Sequence, residues 1–200
     1  MDRGGVKAAS GAGGAGLHIS QLRVAFLSDA IAERNGVGTY YRDLVEHLEH
    51  RLEAAVLLSP CGTGNEPYCG PSLPLPGDPT QRLFFPRPGA VLSAVRQVAP
   101  HVLVCATPGP FGGLGALLAK SAGSLACMGY HTRYDKLVSL YWPPAAALSS
   151  WMLQTWDRLF LSWGEAVVAN SADMAETADR LGVRREIGRA SCRERVCHRV

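Results

Sequence analysis

The sequence contains no run of about 18 uninterrupted apolar residues, the length at which a segment becomes a candidate membrane-spanning helix. Residues 1–20 lack the apolar core of a secretory signal and are rich in Gly, Ala and Ser, so we expect them to form a flexible leader. Without such a signal, the six cysteines are expected to be thiols. No C-x2-C pair occurs among them, so a zinc site has no support.

Net charge is also low. The formal charge is +3, and residues 186–200, with four Arg and two Glu, account for +2 of it. The remaining +1 predicts no basic surface for nucleic acid. The stretch EIGRASCRERVC, Glu186 to Cys197, resembles a sequencing-library adapter translated in frame. We therefore expect residues 186–200 to be a non-native tail on a truncated chain; a short natural Arg-rich tail is the alternative.

Two common nucleotide-binding motifs are missing. The P-loop pattern G-x4-G-K-[ST] does not occur. A dinucleotide fingerprint needs its glycines close to the first strand, whereas seven residues separate Ser28 from Gly36. The second predicted strand ends in Ser59 and Pro60 instead of the acidic residue that binds a ribose. A nicotinamide site is therefore disfavoured.

Apolar strands alternate with amphipathic helices, which predicts an α/β fold with a doubly wound, mostly parallel, Rossmann-like sheet in residues 21–185. The predicted strands are Leu22–Ser28, Glu53–Ser59, His101–Ala106, Ser124–Tyr130 and Glu165–Ala169. The predicted helices are Thr39–Arg51, Gly89–Ala99, Phe111–Ser121, Pro144–Trp163 and Asp173–Leu181. The Pro- and Gly-rich segment Cys61–Pro88 predicts turns with one short strand near Leu73.

Ligands bind beyond the carboxyl ends of the strands in such sheets. The loop after the first strand carries Asn35-Gly36-Val37-Gly38. A glycine pair where a strand leads into a helix lets backbone amides approach an anion, and the helix N-terminus adds positive charge. The same glycines are also ordinary turn residues, so the pattern leaves phosphate binding and a plain turn both open.

Two further loops carry polar residues at the same edge. His131 follows a strand and precedes Thr132, Tyr134 and Asp135, which suits a contact to a sugar hydroxyl or a general acid/base. A structural histidine is the alternative. The rigid turn Thr107-Pro108-Gly109 would let backbone reach a ligand, or would simply begin a helix.

Five segments in order resemble the N-terminal domain of a family 4 glycosyltransferase, over roughly residues 22–183. They are RVAFLSDAIAERNGVGTYYRDLVEHL, SLPLPGDPTQRLFFPRP, APHVLVCATPGPFGGLGALLAKSAG, GYHTRYDKLVSLYW and VVANSADMAETADRLGV. The nearest resemblance is to the branch that glycosylates diacylglycerol and similar lipids. The chain departs from the family's usual pattern at Arg133, where an acidic residue is common, and at Asn170, where proline is common.

The resemblance implies a GT-B enzyme built from two Rossmann-like halves, of which this chain holds the acceptor-side half. It implies retaining transfer from a nucleotide-sugar donor to a lipid or glycan acceptor, without a metal or any cofactor beyond the nucleotide-sugar co-substrate. The second half, which holds most of the nucleotide, is missing, so we expect the fragment alone to be inactive. A cytoplasmic location, peripheral to the inner face of the membrane, goes with this interpretation.

The resemblance also implies roles for individual residues. His131 would contact the donor sugar as the catalytic residue. Gly36, Val37 and Gly38 would bind the donor diphosphate. The residues expected to line the cleft are Asn35, Thr107, Pro108, Gly109, Thr132, Arg133 and Ser171.

Two other functions stay open: a GT-B nucleotide-sugar epimerase, and a non-catalytic module that binds sugar or lipid. The aromatic residues of the stretch 141–163 are open in the same way. They suit packing in the core or between domains, or contact with a membrane interface.

Overall fold

A computed structural model describes residues 17–32, 34–60, 64, 66–75, 78–133, 146–182 and 186–189. Its centre is a six-stranded sheet in which every neighbouring pair is parallel, in the order β2-β1-β5-β6-β7-β8. The strands are β1 Arg23–Leu27, β2 Ala54–Leu58, β5 Val102–Cys105, β6 Leu125–Tyr130, β7 Ala166–Ala169 and β8 Glu186–Arg189. The predicted doubly wound α/β sheet is confirmed.

Five helices flank the sheet in the part of the chain that the structure describes. They are α1 Gly36–Glu49, α2 Pro88–Val98, α3 Pro110–Ala122, α4 Ala146–Ser162 and α5 Ala172–Arg180. A short 3-10 helix, Ile19–Gln21, precedes β1 and crosses the predicted end of the leader. β8 lies beyond the predicted domain boundary at residue 185 and pairs with β7. Both boundaries stay predictions.

Alternate residues of the strands face two separate cores, as expected for a sheet covered on both sides. Ala25, Leu27 and Leu103 pack with side chains of α2, α3, α4 and α5. Val24 and Phe26 point to the opposite face, where α1 packs through its buried Tyr41 and Val45. The i and i+4 spacing of that pair places both side chains on one face of the helix.

The segment between β2 and α2 differs from its prediction. Strands β3, Cys69–Leu75, and β4, Asp78–Pro86, form an antiparallel pair where a single short strand was expected. Prolines within both strands hid the pair, because proline cannot donate a ladder hydrogen bond and usually argues against a strand. The pair forms a separate two-stranded sheet in which proline is tolerated.

The strand order of the sheet reverses next to β1. β1 lies between β2 and β5, so the chain leaves β1 towards one side of the sheet and later continues on the other. Such a reversal of strand order opens a crevice between the loops that follow the two strands. Here those loops contain Asp29 and Thr107.

Candidate functional site

A cavity of about 130 Å³ opens at the carboxyl edge of the sheet. The first turns of α1, the loop after β6 and the loop after β7 build it. Its lining residues are Gly36, Val37, Tyr40, His131 and Asn170. The structure therefore brings His131 next to Gly36 and Val37 of the predicted glycine loop.

Helix α1 begins at Gly36, three residues earlier than expected, because Asn35 is an effective N-cap. Its side-chain oxygen accepts a hydrogen bond of 2.8 Å from the amide of Val37. Thr39 reinforces the turn, since its hydroxyl donates to the carbonyl oxygen of Ala32. The amide of Val37 is thus held by Asn35, and Gly36 and Gly38 occupy the first turn of the helix.

The two glycines have different environments. A Cβ at Gly36 would have no neighbouring atom within 4 Å, so this residue faces the cavity openly. A Cβ at Gly38 would lie 2.6 to 2.7 Å from the backbone of Ile31 and Ala32. Gly38 is buried against that loop and does not line the cavity. Close packing accounts for Gly38, whereas nothing in the packing requires glycine at 36.

His131 is paired with Tyr41 of α1. The phenol oxygen lies 2.5 Å from Nε2 of the imidazole, and the ring centroids are 5.3 Å apart at a near-perpendicular angle. A Cβ at Gly129 would lie 2.8 Å from that phenol oxygen and 2.9 Å from Nε2. Glycine at this position of β6 therefore makes room for the pair.

Burial keeps both partners uncharged. It lowers the pKa of His131 to about 4, because the surroundings disfavour the imidazolium. It raises the pKa of Tyr41 well above its ordinary value for the same reason. At neutral pH the pair is a neutral imidazole and a neutral phenol.

Two residues after β7 act in different ways. The Asn170 side chain donates a hydrogen bond of 3.3 Å to the carbonyl oxygen of His131 and lines the cavity. Ser171 caps α5, accepting from the amide of Met174 at 3.2 Å. The sequence pattern singled out Ser171 as a cleft residue, but its neighbour Asn170 is the one that lines the cavity.

Thr132 and Arg133 do not line the cavity. Arg133 donates to the hydroxyl of Thr177 on α5 at 3.2 Å. Tyr134 and Asp135, from the same motif, lie outside the described residues. Their expected contribution stays a prediction.

The carboxylate of Asp29, from the loop after β1, lies at the N-terminus of α3. Its carboxylate accepts hydrogen bonds from the Thr107 hydroxyl at 2.6 Å, from the Phe111 amide at 2.8 Å and from the Gly112 amide at 3.4 Å. Burial raises the pKa of Asp29 to about 6, and these hydrogen bonds offset only part of that rise. The positive end of α3 is therefore neutralised by the protein's own carboxylate.

The turn that was expected to line the cleft is built around this carboxylate. Thr107 is buried, with its hydroxyl on Asp29. A Cβ at Gly109 would overlap the Asp29 carboxyl group. The carbonyl of Pro108 accepts a hydrogen bond of 2.6 Å from the indole of Trp156 on α4. An internal anion thus accounts for the glycine at 109.

Asp29, Tyr40, Tyr41, Gly129 and Asn170 were not predicted from the sequence. Asp29 directly follows Ser28 at a strand's carboxyl end, a position that could have singled it out. From the sequence, Tyr40 and Tyr41 are only residues of an amphipathic helix. The partner of the Tyr41 hydroxyl, His131, comes from a distant segment and is set by the tertiary fold.

Among the described residues, no three His, Cys, Asp or Glu side chains lie close enough to hold a metal ion. The described cysteines, Cys69, Cys105 and Cys127, are buried thiols, as expected for these three. Within the same residues, no helix is both long and apolar enough to cross a membrane.

Fold and site together define a Rossmann-like α/β domain with a cavity at the carboxyl edge of its sheet. Residues 34–188 match Glycosyltransferase Family 4, and the chain belongs to that family. The match begins next to Asn35 and includes His131 and Ser171. No curated protein shows significant similarity to the chain.

Proposed function

We propose that the chain is the acceptor-side half of a retaining glycosyltransferase of hexosyltransferase type. It would transfer a sugar from a nucleotide-sugar donor to a lipid or glycan acceptor. The observation that carries this proposal is the cavity shared by Gly36, Val37 and His131. Family membership supports the class of reaction, and in this proposal the donor would bind in the cavity.

The donor diphosphate would approach the first turn of α1. This helix presents its positive end next to an open Gly36, whereas the corresponding end of α3 already binds Asp29. Developing charge on the leaving diphosphate would be stabilised by this dipole and by basic groups of a second half, with no metal. His131, on the same cavity, would contact the donor sugar.

An exposed apolar face supports a lipid acceptor and a peripheral location on the inner, cytoplasmic face of the membrane. On α4 the side chains of Leu148, Trp151, Met152, Trp156 and Leu159 are exposed. Trp151 is 64% exposed, which is unusual for tryptophan and typical of a side chain that meets a partner or a membrane interface. Trp156 connects this face to the Pro108 turn at the carboxyl edge.

A binding experiment on the 200-residue chain tests the donor site. UDP-glucose is titrated into ¹⁵N-labelled protein while amide shifts are followed. We expect weak, saturable shifts concentrated at Gly36, Val37 and His131. Shifts concentrated at the N-terminus of α3 instead, near Phe111, would contradict the proposed site.

Turnover assays separate the remaining alternatives. The isolated chain should bind donor weakly and transfer no sugar, since most nucleotide contacts would come from the second half. An epimerase would convert the nucleotide-sugar into its epimer in the absence of any acceptor. A pure binding module would stay inactive even when a second Rossmann-like half is supplied.

A further inference from the structure

The hydrogen bond between Tyr41 and His131 bears on what the imidazole offers a ligand. A neutral imidazole carries one proton, so one ring nitrogen donates and the other accepts. The nitrogen next to Tyr41 is Nε2, at 2.5 Å from the phenol oxygen. The direction of this one hydrogen bond therefore decides whether Nδ1 carries the ring proton and donates, or lacks it and accepts.

The phenol is the better donor of the two groups. A phenol hydroxyl loses its proton with an ordinary pKa near 10, and a neutral imidazole nitrogen is a good acceptor with an ordinary pKa near 6.5. An O–H···N bond to Nε2 leaves the proton of the ring on Nδ1. The imidazole then offers a donor to a ligand, such as a sugar hydroxyl or a phosphate oxygen.

Packing holds the phenol in place. Tyr41 is 2% exposed, and its ring packs against Phe26 at 5.7 Å and Tyr40 at 5.1 Å between centroids. Gly129 leaves space beneath the pair, because a Cβ there would collide with both polar atoms. The Asn170 side chain holds the His131 carbonyl from another loop. Tyr41 of α1 thus holds the imidazole, and Asn170 holds the backbone of the same residue.

We propose that Tyr41 is a positioning residue that holds His131 in its Nδ1–H form, so that the imidazole acts as a neutral hydrogen-bond donor in the cavity. The inference rests on the proposed donor site for its functional meaning. It narrows the role of His131, because a ring held neutral in one form binds and orients a ligand oxygen without exchanging a proton. The shift in its pKa agrees with this, since an imidazole that titrates near pH 4 carries no extra proton at neutral pH.

The tautomer is directly measurable. The 200-residue chain is labelled with ¹⁵N-histidine, and two-bond ¹H–¹⁵N correlation spectra distinguish protonated from unprotonated ring nitrogens. The His131 signal is assigned by its loss in His131→Gln. We expect a protonated Nδ1 and an unprotonated Nε2 at pH 7. A protonated Nε2 would overturn the proposal, even if no Tyr41 variant folds.

Two variants test the cause. Tyr41→Phe keeps the ring and removes the hydroxyl, and we expect His131 to lose its single tautomer and UDP-glucose binding to weaken by about 2- to 10-fold, the worth of one hydrogen bond. Tyr68→Phe is the control, because it removes a phenol that donates to Ser59 at 3.3 Å and leaves His131 untouched. An unchanged tautomer in Tyr41→Phe would overturn the proposal.

The two proposals fail in different ways. The expected tautomer without any UDP-glucose binding would support the role of Tyr41 and count against the donor site. UDP-glucose binding at Gly36 with a protonated Nε2 would support the donor site and overturn the role of Tyr41.

Discussion

The side chain of Asp29 and that of Thr107 hold together the two loops at which the strand order of the sheet reverses. The Asp29 amide donates to the Thr107 hydroxyl oxygen at 2.8 Å, and that hydroxyl donates back to the carboxylate at 2.6 Å. Because the same carboxylate caps α3, the N-terminus of α3 is already occupied by an anion of the protein itself. The helix terminus left at the candidate cavity is that of α1.

Gly112 and Gly113, neighbours in α3, should respond oppositely to alanine. A Cβ at Gly112 would overlap the carbonyl oxygen of Thr107, so Gly112→Ala should lower the free energy of unfolding by about 3 kcal/mol or more. Gly113 has no atom within 4 Å of a new Cβ, and Gly113→Ala should raise it by about 1 kcal/mol through helix propensity. Urea denaturation measures both. Equal effects would contradict the packing described around Thr107.

The sheet could be predicted because its information is local. Runs such as Val102–Cys105 are apolar throughout, as buried parallel strands require, and α1 repeats its apolar residues with a helical period. The hairpin β3–β4 was missed because its prolines contradict the usual strand signal. Its pairing depends on contacts between strands that periodicity does not record.

The site was predicted only in part, for a related reason. His131 and Gly36 follow strands, and the rule about carboxyl ends brings them together from sequence position alone. The roles of Asp29 and Tyr41 depend on partners 78 and 90 residues away in the chain. No local pattern carries that information, and the glycines at 38 and 109 therefore resembled ligand contacts although they accommodate protein atoms.

Gly36→Ala and Gly38→Ala should separate binding from folding. At Gly36 a methyl group enters open space at the cavity, so stability should change by no more than about 0.5 kcal/mol while UDP-glucose binding weakens. At Gly38 the methyl group would meet the backbone of Ile31, and the free energy of unfolding should fall by about 1–3 kcal/mol. Thermal unfolding and amide-shift titration give the two readouts. Normal binding by Gly36→Ala would remove this residue from the donor site.

In a form of the enzyme that turns over, His131→Ala should lower kcat by roughly 100-fold, the scale for removing one hydrogen-bond donor that stabilises developing charge at the reacting sugar. If the imidazole is a neutral donor, His131→Gln should keep more of the activity than alanine, because its amide can also donate. Initial rates with UDP-glucose as donor measure both variants. Turnover equal to that of the unsubstituted enzyme in His131→Ala would refute a role for this residue in the transfer.

Trp151→Gln should weaken binding to vesicles of phosphatidylglycerol and phosphatidylcholine. Burying a large apolar side chain contributes about 1.5–3 kcal/mol, so binding should fall roughly tenfold or more. Leu117→Gln is the control, because Leu117 is 61% exposed but lies on α3. Vesicle sedimentation gives the bound fraction. Equal losses in the two variants would contradict a specific lipid-facing role for α4.

Asp29 and His131 should oppose each other in the dependence of stability on pH. The pKa of Asp29 is raised from 3.8 to about 6, so the folded protein binds this proton more tightly, and the group's contribution to stability is lost as pH rises from about 4 through 6. The pKa of His131 is lowered from 6.5 to about 4, so its contribution is present above 6.5 and is lost as pH falls towards 4. Each shift corresponds to about 3 kcal/mol.

Single substitutions should expose each slope separately. In Asp29→Asn the contribution of Asp29, which falls as pH rises, is removed, so the free energy of unfolding should rise, relative to the unsubstituted protein, by about 3 kcal/mol between pH 4 and 6. In His131→Gln the contribution of His131, which rises with pH, is removed, so the free energy of unfolding should fall, relative to the unsubstituted protein, by a similar amount between pH 4 and 6.5. Urea denaturation at half-unit pH steps measures these differences, and the double variant should lack both slopes, because neither replacement titrates. If the pH curves of all four proteins were parallel, folding would not shift the pKa of either group. That result would contradict the burial described for the Asp29 carboxylate at α3 and for the His131 imidazole beside Tyr41.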